Sequence, residues 1–228
     1  MAIKIIGFDA DDTLWVNEPH YQNTEKYFLD LLKGYATREE ISSALFKTEI
    51  ENLELYGYGA KGFILSMTET AIRISNRKVT AEEISKIIEM GKSLMDMPIE
   101  ILEGVEQVLS QLKNRYKLIV VTKGDLLDQE RKLRKSGLAH YFDHIEIVSD
   151  KKEKDYKTLI SHLGIETKEF MMIGNSMKSD IFPVLDIGGY AIHVPYHTTW
   201  AHENAEVSPG ERIQFKSVSK LSDVLKIL

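Results

Sequence analysis

The chain has no cysteine among its 228 residues. That absence excludes disulfide frameworks, thiolate zinc sites, iron–sulfur ligation and cysteine nucleophiles together, and it suits a reducing compartment. Proline is scarce, at 5 residues, and no Pro- or Ser-rich linker, low-complexity tract or internal repeat interrupts the sequence. Long apolar runs are also missing. Nothing approaches the ~20 residues that a membrane-spanning helix needs, and the opening MAIKIIGF is too short an apolar run for a secretory leader. A cytoplasmic location is the expectation. Basic side chains are in deficit, 29 Lys and Arg against 35 Asp and Glu, giving a formal charge of −6. Generic binding to nucleic acid or to an anionic membrane needs the opposite local balance, so neither is an expected partner.

What is present fits a globular chain: 43% hydrophobic and 28% charged residues, long enough for one large α/β unit or for a core that carries an insertion. Short, nearly continuous apolar runs occupy residues 3–8, 117–122, 145–148, 170–173 and 190–194. Runs of that kind, each followed by polar or glycine-bearing sequence, read as parallel strands covered on both faces. Helical patterns lie between them. Val105, Val108, Leu109 and Leu112 share one helical face, and patterns over 126–136, 156–163 and 181–187 stop at Gly137, Gly164 and Gly188, each a plausible residue just past a helix end. Residues 213–218 and the face of Leu221, Val224, Leu225 and Leu228 suggest a last edge strand and a docking helix. The fold class expected is α/β, a doubly wound, Rossmann-like, mostly parallel sheet.

Residues 15–97 break that rhythm, because they contain no convincing strand. Thr37 with Glu40 and Thr80 with Glu83 fit capping boxes, and Ile84, Ile87, Ile88 and Met95 fall on one face. An inserted all-helical cap over 15–97 is expected, with the core made of 1–14 and 98–228. Within it, the run from Tyr56 to Phe63, with three glycines, two tyrosines and a lysine, reads either as a substrate-facing loop or as a turn between cap helices.

Ligands of open α/β sheets bind beyond the C-terminal ends of the strands. After the first run comes Asp9-Ala10-Asp11-Asp12-Thr13. Asp9 and Asp11 leave the strand end on the same side, about 6–7 Å apart at ~3.3 Å per residue. Carboxylates so close repel unless a cation or a shared proton offsets them. Asp12 is expected to be solvated. After the second run, Thr122-Lys123-Gly124-Asp125 offers a hydroxyl and a glycine-relaxed turn into a helix, a small anion cradle. Lys151 follows the third run, with Lys152 and Lys154 as alternatives, and can neutralise a carboxylate or a phosphoryl oxygen. Gly174-Asn175-Ser176 follows the fourth, and Asp180 is placed to reach back toward Asp9, giving an oxygen-rich shell of the kind magnesium prefers.

These four stations in order, Asp9 to Thr13, Thr122, Lys151, and Gly174 to Asp180, resemble the haloacid dehalogenase-like hydrolase superfamily, in its phosphatase type with a helical cap. The resemblance implies Asp9 as nucleophile and phosphoryl acceptor and Asp11 as general acid/base. It implies Thr122 and Lys151 as holders of the transferring phosphoryl group, and Mg2+ bound by Asp9, Asp180 and the backbone carbonyl of Asp11. Lys123, Gly124 and Asn175 join the expected phosphate-binding set. The pattern often has Gly-Asp where this chain has Gly174-Asn175, so Asn175 is expected to act through its amide or a water. The substrate implied is a small phosphorylated metabolite. Phosphomutase and metal-independent haloacid dehalogenase chemistry in the same family, and a phospho-receiver signalling domain outside it, are the alternatives. Trp15 and Asn17, at the junction of core and cap, are expected to contact substrate. His193, His197 and His202 are read as an entrance loop rather than as a metal site.

Overall fold

The computed structural model describes residues 2–203 and 212–228. The chain divides into two compact units, one of Met1–Glu18, Ile99–Lys123 and Gln129–Leu228, the other of Pro19–Pro98 and Gly124–Asp128.

Among the described residues the first unit is built on six strands: β1 (Ile5–Phe8), β2 (Lys117–Lys123), β3 (His144–Val148), β4 (Phe170–Gly174), β5 (Tyr190–His193) and β6 (Phe215–Ser217). They form one sheet in the order β3-β2-β1-β4-β5-β6, and every neighbouring pair is parallel. The period-two alternation of a strand divides its apolar side chains between two layers. Ile6, Phe8, Leu118, Val120, Met171 and Ile173 face one core, which they share with α5 (Val105–Leu112), Leu133 and Leu221. Ile5, Ile119, Val121, Phe170 and Met172 face the other, against Tyr156, Leu159 and Ile160 of α7 (Glu153–His162) and Val184 of α8 (Phe182–Asp186). Helices on both faces explain why these strands are apolar without alternation. Gly137, Gly164 and Gly188 have φ of 72°, 66° and 85°, the left-handed geometry expected after a helix.

The expected last strand shortens to β6, and the expected docking helix is a 3₁₀ turn, Leu221–Lys226, that buries Leu221 and Val224. The pattern read as a helix over 181–187 begins earlier, as a single π-helical turn, Met177–Ile181, that runs into α8. Such one-turn widenings concentrate at functional sites.

The second unit contains α1 (Glu18–Leu32) from Pro19 onward, α2 (Arg38–Tyr56), α3 (Ala60–Ile74) and α4 (Ala81–Asp96). Both capping boxes form, at Thr37 with Glu40 and at Thr80 with Glu83. Phe28, Leu32, Ile41, Leu45, Met67 and Ile87 make its core. Within the Tyr56 to Phe63 run, residues 57–59 form the turn between α2 and α3 and Ala60 to Phe63 begin α3, with Gly57 and Gly59 at φ of 69° and 108° and the Tyr56 hydroxyl donating to Glu69 at 2.9 Å. Lys61 reaches both carboxylate oxygens of Asp125, at 3.0 Å each. Among the described residues no helix is long and apolar enough to cross a membrane.

Candidate active site

The parallel sheet delivers Asp9 just past β1, Thr122 near the end of β2, Lys151 past β3 and Asp180 past β4, so one rim gathers residues far apart in sequence. Lys151 is the centre. Its Nζ lies 2.5 Å from Asp9 Oδ1 and 2.7 Å from Asp180 Oδ1, and its side chain is 1% exposed. The other two lysines stand elsewhere: Lys152 pairs with Asp150 on the surface, and Lys154 is exposed. Burial alone would lower the pKa of Lys151, but the Asp180 and Asp9 carboxylates more than offset this and hold it above its ordinary value. Burial, opposed by Lys151 and reinforced by Asp180, pushes Asp9 up to about 7.

Two local devices orient these acids. Thr13 Oγ1 is 3.1 Å from Asp9 Oδ2 and 3.2 Å from Asn175 Oδ1, which ties the β1 and β4 ends together. The Ser176 backbone N–H donates to Asp180 Oδ2 at 2.9 Å, and Ser176 Oγ caps the π-helical turn by accepting from Ser179 N at 3.0 Å.

Asp11 belongs to a second network. Its Oδ1 accepts from Trp15 Nε1 at 2.7 Å and from Lys132 Nζ at 2.9 Å, and its Oδ2 accepts from Gln129 Nε2 at 3.0 Å. Gln129 Nε2 also lies 2.7 Å from Thr122 Oγ1 and 2.8 Å from the Lys123 carbonyl, so its two N–H groups are shared among three acceptors. Trp15 is buried in the sheet core, so it braces Asp11 rather than lining a substrate surface. Asn17 accepts from Lys132 at 2.8 Å.

Lys123, expected among the phosphate ligands, has other partners here. Its Nζ is 2.5 Å from Glu203 Oε1 and 2.8 Å from Ser179 Oγ. Glu203 Oε2 also accepts from Ser176 and Ser179 hydroxyls at 2.6 and 2.5 Å. Burial would raise the Glu203 carboxyl, but Lys123 and the two hydroxyls bring it down to about 2. Gly124 has φ of 136°, a backbone conformation that favours glycine.

Asp12 overturns its expectation of solvation. It is buried at a φ of 60°, and its carboxylate accepts from the backbone N–H groups of Asn17 and Glu18 at 2.8 to 3.1 Å. Burial, against those two N–H groups, lifts it to about 8. His193 is held by the Asn175 carbonyl at 3.0 Å, and among the described residues no three His, Asp or Glu side chains cluster as a metal site.

Sequence reasoning missed Gln129, Lys132 and Glu203. The first two had a signal: Gln129, Lys132, Leu133 and Ser136 share one face of α6 (Leu126–Ser136), and Gln129 is 4% exposed while Leu126 and Leu127 are each 60% exposed. Apolar character alone does not mark the inward face of this helix, since Leu133 is buried there while Leu126 and Leu127 are not. Glu203 had none, since a polar residue in a loop past β5 reads as solvated.

The arrangement brings together a buried carboxylate, a screening ammonium and a second carboxylate held separately by its own donors. The sequence matches the family described as haloacid dehalogenase-like hydrolase over residues 3–183. Among similar proteins, the N-acylneuraminate-9-phosphatase of Rattus norvegicus is 26% identical, covering 98% of this chain and 94% of its own length. The glyceraldehyde 3-phosphate phosphatase of Methanothermobacter thermautotrophicus is 24% identical over 98% of this chain and all of its own. The crystal structure of a haloacid dehalogenase-like family hydrolase from Xanthomonas campestris superposes with a TM-score of 0.89 at 36% identity, covering 99% of this chain and 91% of that one. Fold, rim and sequence match agree, and the chain belongs to the haloacid dehalogenase-like hydrolase family.

Proposed function

We propose that the protein is a Mg2+-dependent phosphatase that hydrolyses a small phosphate monoester through an aspartyl phosphate on Asp9. The observation that carries this reading is Lys151 buried between Asp9 and Asp180, with Asp11 held apart from them by its own donors. A carboxylate attacks an anionic phosphate only if their repulsion is screened. Lys151 supplies one fixed positive charge for that purpose, and Thr122 a hydroxyl for a phosphoryl oxygen.

The Asp9 carboxylate forms a bond to phosphorus as the bond from phosphorus to the leaving oxygen breaks, and Asp11 gives that oxygen its proton. Water then attacks the aspartyl phosphate, Asp11 takes the proton back, and inorganic phosphate leaves with Asp9 restored. The donor set fits Mg2+: two hard carboxylates, Asp9 and Asp180, would hold it, with the Asp11 backbone carbonyl as the expected third ligand. One ammonium, Lys151, lies between the two carboxylates of Asp9 and Asp180, which supports a further cation at this cluster. When bound, Mg2+ neutralises phosphate charge in the transition state.

Incubation with p-nitrophenyl phosphate, with and without Mg2+, tests the reaction class. Asp9→Asn should reduce turnover by at least ~10³-fold, the scale of losing a nucleophile. Substantial residual Mg2+-dependent turnover would overturn the assignment. A phosphate-release screen that begins with N-acylneuraminate 9-phosphate and glyceraldehyde 3-phosphate, the substrates that two relatives are named for, identifies the metabolite.

A further inference from the structure

We infer that Lys132 and Gln129, on the buried face of α6, are positioning residues that set which oxygen of Asp11 exchanges the proton. The inference rests on the reading of Asp11 as acid and base. It goes beyond the four stations of the sequence pattern, none of which includes α6.

Asp11 Oδ1 accepts two hydrogen bonds, from Trp15 Nε1 at 2.7 Å and from Lys132 Nζ at 2.9 Å. With both donors in place that oxygen is fully engaged and is a poor seat for a proton. Oδ2 has one donor, Gln129 Nε2 at 3.0 Å, and keeps acceptor capacity, so it is the oxygen that works. The donors are themselves fixed. Lys132 Nζ is held by Asn17 Oδ1 at 2.8 Å, and its side chain is 15% exposed. Gln129 Nε2 is pinned by Thr122 Oγ1 and the Lys123 carbonyl. The same amide therefore connects the proton-exchanging carboxylate to the hydroxyl proposed to hold the phosphoryl group, and sets their spacing. Gln129 Oε1 is buried without a hydrogen-bond partner among the described residues. A buried polar atom left unsatisfied costs stability, and retaining it here fits an amide whose orientation is dictated by what its nitrogen must hold. Lys132 and Gln129 lie three residues apart on one helix, so a single rigid element presents both.

A positioning role predicts a loss that depends on the leaving group. Phenyl phosphate and p-nitrophenyl phosphate are close in size, but the phenolate oxygen is far more basic and needs the proton from Asp11, whereas nitrophenolate departs without it. The experiment measures kcat/KM for both esters at fixed Mg2+ in the wild type and in Lys132→Met, Lys132→Arg, Gln129→Leu and Asp11→Asn, with thermal melts of each. Misplacing a general acid should lower kcat/KM for phenyl phosphate ~100-fold in Lys132→Met and in Gln129→Leu, and less than ~10-fold for p-nitrophenyl phosphate. Lys132→Arg, which keeps a donor for Oδ1, should recover most of the phenyl phosphate activity. The loss should fall on kcat with KM nearly unchanged.

Equal losses on both esters in folded Lys132→Met and Gln129→Leu overturn the inference, as does full phenyl phosphate activity in either. If one variant melts below the assay temperature, the other decides. Asp11→Asn separates the two levels. If it discriminates between the esters and the α6 variants do not, the positioning role fails while the acid stands. If Asp11→Asn strikes both esters alike, the reading of Asp11 as acid fails and the inference falls with it.

Discussion

Gly174 ends β4 at the point where Asp180 folds back over it, and its requirement is for space rather than for an unusual torsion. A Cβ built there would stand 2.3 Å from Asp180 Oδ2 and 2.4 Å from its Cγ, well inside van der Waals contact. The groups in the way are fixed: Asp180 is 1% exposed and is held by both Lys151 and the Ser176 N–H. Gly174→Ala must therefore displace the Asp180 carboxylate, the backbone of the strand end, or both. The expected outcome is a protein that still folds, because β4 is otherwise buried and paired on both sides. Its kcat/KM toward p-nitrophenyl phosphate should be lower by at least ~100-fold, equivalent to about 2.7 kcal/mol of transition-state stabilisation, and more Mg2+ should be needed for half-maximal activity. Wild-type kinetics in Gly174→Ala would mean that Asp180 does not need this position. Asp12 shows the opposite use of backbone freedom. It accepts a φ of 60° because its carboxylate caps the start of α1, and Asp is among the few side chains that tolerate that geometry.

The 3₁₀ turn Ala201–Glu203 is joined to the end of β2 and to the π-helical turn by one carboxylate. Glu203 contacts Lys123, Ser176 and Ser179, and its side chain is 13% exposed, so solvent screens the pair only weakly. Its carboxyl is lowered from 4.5 to about 2 in the folded protein. A depressed acid stabilises the fold fully above its unfolded value, and that contribution fades as pH falls from about 4.5 toward 2. The difference corresponds to at most about 3 kcal/mol. Glu203→Gln, which keeps the shape and removes the charge, should lower the unfolding free energy at pH 7 by about 2–3 kcal/mol. The gap between variant and wild type should shrink at pH 3 and close near pH 2. Urea denaturation of both proteins at these pH values measures it, and comparing them cancels the other acids that titrate in the same range. A gap that stays constant from pH 7 to pH 3 would show that packing, not charge, joins these elements.

Across the whole molecule, the sheet was legible in the sequence because buried parallel strands are continuous apolar runs: residues 117–122 and 170–173 differ from β2 and β4 by one residue each. The capping boxes at Thr37 and Thr80 were legible because their chemistry is local. What could not be read was polar burial. Gln129, Lys132 and Glu203 look like surface residues in sequence, and only the order of the strands brings them beneath the rim. The formal charge of −6 misled for a related reason, since Asp9, Asp11 and Asp180 are among its negative charges and lie at the site proposed for an anion. Lys151 offsets one of the two charges it touches, so on the proposed reading a dication that binds there, and not to the unfolded chain, should stabilise the fold. Linkage turns this into a stability measurement independent of activity: at a free Mg2+ concentration a hundredfold above its Kd the fold gains about 2.7 kcal/mol. For a chain of this length that corresponds to a rise in Tm of about 5–10 °C. The unit of Met1–Glu18, Ile99–Lys123 and Gln129–Leu228 holds Asp9 and Asp180, so the rise should appear in the transition that melts that unit. Asp180→Asn removes one of the two carboxylates and should melt at the same temperature with and without Mg2+. Calcium, larger and held in looser geometry, should raise the wild-type Tm without supporting hydrolysis at the same rate. An unchanged wild-type Tm across the full Mg2+ titration would remove the dication from the proposal while leaving Asp9, Lys151 and Asp11 to be tested on their own.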